Sequence, residues 1–130
     1  MQPDGDKAVV RKFLLQGLGR LNPAIVDEVF APDHALSSPE FGSQVITGTR
    51  IIKSAIEEFR SDAGRIEVTI QRQIEEQEWV ATSYTLTEEN DTHMGILFSR
   101  VVAGKIAESF VVARSVSVAE ARITARKAFN

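Results

Sequence analysis

Arg65-Ile66-Glu67-Val68-Thr69-Ile70-Gln71-Arg72-Gln73-Ile74-Glu75-Glu76-Gln77 is the stretch whose reading decides the fold. Ile66, Val68, Ile70 and Ile74 alternate with Glu67, Thr69, Gln71 and Gln73. A period of two sets the apolar side chains on one face and the polar ones on the other, the pattern of a strand with one side buried. Arg72 falls in the apolar row, where a charge is costly unless paired or hydrated. It either reaches an interior pocket or marks a bulge or the wet end of the strand.

Upstream of this stretch the spacing is helical. Val9, Val10, Phe13, Leu14 and Leu18 recur at intervals of three and four, a stripe that Asp6 can cap and that Gly17, Gly19 and Asn22-Pro23 end. A second helix follows, with Asn22 as its cap, Pro23 at its first position and Ile25, Val26, Val29 and Phe30 facing inward until Pro32 stops it. Residues 31–49 read as a loop. Thr49 can cap a third helix with Ile51, Ile52, Ala55, Ile56 and Phe59 as its buried stripe and Gly64 as its stop.

Downstream the period stays at two. Residues 79–87, 93–102 and 105–116 read as strands joined by turns at 88–91 and at Ala103-Gly104. Ser117 with Glu120 forms a capping box that would start a last helix over 117–129, and residues 1–5 read as a disordered lead-in. Helices first and hairpin-linked strands afterwards make an α+β chain, most naturally a curved antiparallel sheet wrapped around a long helix.

The totals narrow the function. The 130 residues suit one domain over 1–130, and 43% hydrophobic with 25% charged residues supplies a core without covalent staples. The chain has no cysteine, which excludes disulfides, a thiol nucleophile and thiolate metal sites. A net charge of −3 without a basic run lacks the electrostatic footprint of a nucleic-acid binder. No apolar run is long enough for a bilayer, and the opening Met1-Gln2-Pro3-Asp4 has no cationic start or apolar segment of a secretory signal. The expectation is a cytoplasmic protein engaging neither nucleic acid nor membrane.

Three stretches carry a resemblance: residues 7–13 with Val26-Asp27-Glu28-Val29-Phe30-Ala31-Pro32-Asp33, the helix from Gly48 to Phe59, and Arg100-Val101-Val102-Ala103-Gly104-Lys105-Ile106-Ala107-Glu108. In that order they resemble the SnoaL-like polyketide cyclases of the nuclear-transport-factor-2-like superfamily over about residues 6–114. The resemblance implies a cone-shaped α+β barrel with a pocket between helices and sheet. In relatives that pocket serves cyclisation, isomerisation, dehydration, epoxide opening or simple binding, and relatives commonly pair their sheets as homodimers. This chain departs from the family's pattern in several places. The histidine place falls near Ser37, and the nearest imidazole is His34. Phe110 stands for a Trp and Arg114 for an acidic residue, and the excursion between the second and third strands shrinks to the turn at 88–91.

Alternation names the candidate site residues. Val80, Thr82, Tyr84 and Leu86 share a face, and the Tyr84 phenol either stabilises a developing oxyanion or is an ordinary core tyrosine. Ile106, Glu108, Phe110, Val112 and Arg114 share another. There Glu108 can act as a base and Arg114 as an anion binder, or the two can join Arg72 in an ion-pair network that only organises the sheet. His34 lies where the resemblance puts the pocket mouth, as a proton carrier or as a surface histidine. His93 starts a strand beside a turn, and Asp33 and Glu40 sit among turn-forming residues. With two separated histidines no metal site is expected. The expected catalytic set is therefore Tyr84, Glu108, Arg114 and His34, with Arg72, Thr82, Phe110, Phe30 and Phe59 against the substrate. Trp79 and Leu97 are expected on the outer sheet face.

Two functions follow from these readings. One is a cofactor-independent enzyme moving protons on a small, polyketide-like apolar molecule. The other is a non-catalytic ligand-binding or dimerisation module that lacks the family's catalytic carboxylate and histidine.

Overall fold

The first helical stripe begins at Gly5, one residue inside the segment expected to be a disordered lead-in. In the computed structural model, which describes residues 5–62, 66–89 and 91–116, α1 (Gly5–Lys12) runs directly into a π-helical turn, Phe13–Leu18. Asp6 stands within the first turn and not ahead of it. Val9, Val10, Phe13 and Leu14 are buried, as their spacing requires. The α2 helix (Ala24–Val29) starts where Asn22 Oδ1 accepts from the Ala24 amide at 3.1 Å, and it buries Ile25, Val26 and Val29.

The segment 31–49 is not a loop. It holds β1 (Phe30–Ser37), a 3-10 turn at Pro39–Phe41 and the short β2 (Ile46–Thr47). A strand with Pro32 and Asp33 in mid-run carries no period-two signal, and its partner is distant in sequence, so local reading misses it. After α3 (Arg50–Asp62) the alternating stretches form β3 (Ile66–Glu76), β4 (Trp79–Glu88), β5 (Asp91–Val102) and β6 (Lys105–Val116). Ala103 and Gly104 both take positive φ in the last hairpin, as a tight two-residue turn demands. The expected stop at Gly64 and the expected helix over 117–129 lie outside the described residues.

The six strands form one curved open sheet in the order β2-β1-β6-β5-β4-β3. The meander is antiparallel throughout, and β1 alone pairs in parallel, against β6. The helices lie on the inner face, and the core is the layer where Val10, Leu14, Val26 and Ile56 meet Val80, Leu97, Val101 and Ile106. This is the α+β cone that the element order implies.

Two bulges decide which side chains face the core. On β3 the register slips between Ile70 and Arg72, so Arg72 and Ile74 leave the apolar row and lie exposed. On β6, Val101 pairs with Ile106 and Arg100 with Glu108, leaving Ala107 as an extra residue. One extra residue reverses every side chain beyond it. Ile106 faces inward, but so do Ser109 and Val111, while Phe110 and Val112 are exposed on the outer face. The expected common face of Ile106, Glu108, Phe110, Val112 and Arg114 is therefore broken after its first member.

Candidate active site

The inner layer leaves a cavity of about 140 Å³ between the helices and strands β1, β4, β5 and β6. The π-helical turn supplies Phe13, Leu14 and Leu18, α3 supplies Ile52, and Leu36, Leu97 and Val111 complete an apolar wall. Among the described residues three polar side chains join it: His34, Tyr84 and Ser109.

His34 reaches the cavity because β1 is irregular. Phe30 pairs with Ile106 and Ala35 with Glu108, so the intervening residues stand out of the ladder. Pro32 and Asp33 turn outward and His34 turns in, its carbonyl fixed by the Gly48 amide at 2.8 Å. The imidazole is fully buried, and Nε2 lies 2.8 Å from Ser109 Oγ. Nδ1 has no partner among the described residues. The ring stacks edge-on against Phe30 at 4.8 Å, and Phe30 does the same against Phe13. Burial lowers the His34 pKa to about 4, with the carboxylates of Glu108 and Asp33 opposing that shift. At neutral pH the ring is uncharged.

Tyr84 lies on the inner face with Val80, Thr82 and Leu86, as alternation requires. Its ring occupies the space over Gly95, its cross-strand partner: a Cβ at residue 95 would stand 2.5 Å from Tyr84 Cζ. Burial raises the phenol's pKa, so the hydroxyl stays protonated as a hydrogen-bond donor.

The cavity gathers only part of the expected set. Of the residues expected to be catalytic, His34 and Tyr84 line it. Glu108 sits on the outer side of the sheet, where its Oε1 accepts from Arg100 at 3.0 Å, and Arg100 also reaches Glu78 at 3.3 Å. Arg100 is the partner of Glu108 that the sequence reading did not name. Arg114 is exposed and borders an outer groove with Met94 and Val112. Of the residues expected against the substrate, Phe30 lines the cavity. Phe59 packs on the core elsewhere, and Thr82 is buried and accepts from Gln73 Nε2 at 3.2 Å. Phe110 is on the outer face, and Arg72 borders a surface groove with Lys7 and Arg11. His93 meets Glu88 at 3.3 Å, half-buried, away from the cavity. Leu97, expected outside, is a core residue. Among the described residues no three His, Asp or Glu side chains converge as a metal site, and no helix is long and apolar enough to cross a membrane.

Sequence reasoning missed Ser109 and Val111. The signal was present in a shifted form: stepping over Ala107 aligns both with Ile106.

Comparison with known proteins places this geometry. A family model for the SnoaL-like domain matches residues 4–109. No curated protein matches. Among solved structures, a candidate ketosteroid isomerase from Kribbella flavida DSM 17836 superposes with a TM-score of 0.69 at 22% identity, covering 84% of this chain and 77% of that one. A candidate SnoaL-like polyketide cyclase from Jannaschia sp. CCS1 gives 0.71 at 14% identity over 95% and 94%. A candidate polyketide cyclase from Acidithiobacillus ferrooxidans gives 0.73 at 12% over 87% and 91%. At these identities the likeness is one of fold.

Proposed function

The chain belongs to the SnoaL-like domain family, and on that premise we propose that it is a cofactor-independent enzyme acting on a small, polyketide-like apolar carbonyl compound held in the inner cavity. The reactions open to it are cyclisation, isomerisation, dehydration or epoxide opening. The observation that carries the reading is the hydrogen-bonded pair His34–Ser109 lining an otherwise apolar cavity with the Tyr84 phenol.

Cyclisation, isomerisation and dehydration share one step, removal of a proton next to a carbonyl. When Nε2–H donates to Ser109 Oγ, the Nδ1 lone pair is free to take that proton. The electrons move onto the carbonyl oxygen, and the Tyr84 hydroxyl donates to the oxyanion that forms. Glu108 and Arg114 have no part in this scheme, because both lie on the other face of the sheet. Incubation of the protein with cyclohexanone in D₂O, followed by proton NMR, tests it. The expected result is deuterium entering the α-carbon faster than in buffer, with at least a tenfold loss in His34→Phe. Cyclohexanone that binds without exchanging would remove the enzymatic reading.

A second reading has its own support. An imidazole with a pKa of about 4 is a weak base, and among the described residues no carboxylate lines the cavity. The same cavity would then hold a ligand without turning it over.

The outer sheet face supports a homodimer in either case. Ile96, Phe98, Phe110 and Val112 are all exposed there, and Trp79 meets Phe98 edge-on at 5.0 Å. Exposed apolar side chains gathered on one face favour an interface there. A chain without cysteine suits a reducing compartment, and the cytoplasm is the location proposed.

A further inference from the structure

We infer that the resident molecule of the inner cavity is neutral and one ring in size, rather than a fused polycycle or an anion. The inference rests on the reading of that cavity as the binding site, and it narrows the substrate class.

Volume sets the upper limit. The cavity measures about 140 Å³. An apolar cavity of about 150 Å³ in another protein holds a benzene molecule. A single six-membered ring with one small substituent therefore fills the space, and a second fused ring does not fit.

The wall is poorly placed to yield. Phe13 packs edge-on against Phe30, and Phe30 against His34, each at 4.8 Å. Phe13 also leans on Gly17, where even a Cβ would stand only 3.0 Å from its ring. His34 is tied to Ser109, and Tyr84 fills the space over Gly95. Widening the cavity means breaking this chain of contacts, because close-packed interiors do not swell smoothly.

Charge sets the second limit. Among the described residues no Lys, Arg, Asp or Glu lines the cavity. A carboxylate or ammonium brought inside would lose its hydration with no opposite charge to meet it. The phenol of Tyr84 donates to a small neutral acceptor such as a carbonyl, beside the ring nitrogen of His34 that lacks a partner among the described residues.

A ladder of ligands tests the inference on the wild-type chain by calorimetry and thermal shift. Cyclohexanone and benzaldehyde are expected to bind, α-tetralone at least tenfold more weakly, and anthrone not at all. Benzoate is expected to bind at least tenfold more weakly than benzaldehyde. Non-specific hydrophobic binding would instead strengthen with ring count, so affinity rising from cyclohexanone to anthrone overturns the inference. So does benzoate matching benzaldehyde, or no binding anywhere on the ladder. Val111→Phe fills the cavity and is expected to lower cyclohexanone affinity at least tenfold; a folded variant with unchanged affinity also overturns it. If that variant does not fold, the ladder alone decides. Failure here is separable from failure of the enzymatic reading. Cyclohexanone bound without deuterium exchange removes only the catalysis, and tetralone bound and exchanged removes only the size limit.

Discussion

His34, the proposed base, is buried as a neutral ring, and that burial has a cost in acid. The unfolded chain takes up a proton at this residue near pH 6.5, whereas the buried ring resists it until about 4. Between those values the unfolded state binds more protons, so stability falls as pH drops and is flat above 6.5 as far as this group is concerned. The full effect is about 3 kcal/mol. Urea unfolding at pH 7.5 and pH 4.5 should show a larger loss for the wild type than for His34→Phe, by about 2 kcal/mol or more. Equal losses would mean that the imidazole is not buried neutral. Tyr84 depends in turn on a residue without a side chain: the phenol can lie over β5 only because Gly95 leaves the space.

At the scale of the element, the bulge on β6 is the feature with the largest consequence. Ala107 is the extra residue, and the pairs on either side of it, Val101 with Ile106 and Arg100 with Glu108, would be consecutive without it. Its deletion therefore restores a regular ladder and leaves Ser109 and Val111 facing inward. The deletion variant is expected to stay within about 2 kcal/mol of wild type and to keep cyclohexanone binding. One alanine inserted between Glu108 and Ser109 does the opposite, driving Ser109 outward and Phe110 toward the core. That variant should unfold at lower urea than the deletion and lose the ligand. The reverse ranking would refute this register. The π-helical turn belongs to the same scale: its wider spiral sets Phe13, Leu14 and Leu18 against the cavity, and such turns often occur at functional sites.

The whole molecule presents two different faces of one sheet. The inner face holds the cavity and its neutral polar groups. The outer face carries the Arg100 ion pairs beside exposed Phe98 and Phe110, which are 42% and 43% accessible, more than side chains of this kind usually keep without a partner. If two copies meet there, Phe98→Glu with Phe110→Glu should convert the dimer to a monomer in light scattering. Because the cavity lies wholly on the other face, cyclohexanone affinity should change by less than threefold. A wild-type chain already monomeric at micromolar concentration would dismiss the pairing.

The sequence by itself determined the periods: helical spacing to Phe59, a two-residue repeat from Ile66, and the hairpin at Ala103-Gly104. Those follow from each residue's immediate neighbours, and with them came the α+β class and the inward placement of Tyr84, while the family was legible apart from them, in the three stretches that resemble it. Only the tertiary structure decided which face of β6 meets the core, because the bulge at Ala107 is defined by its pairing with β5 and not by its own residues. It also decided that residues 30–37 form a strand, since β1 is held by a parallel partner some seventy residues away. The burial of His34 belongs with these. A histidine after Pro32-Asp33 can be read as a pocket-mouth proton carrier or as a surface residue, and only the strand beside it, which supplies Ser109, shows it buried.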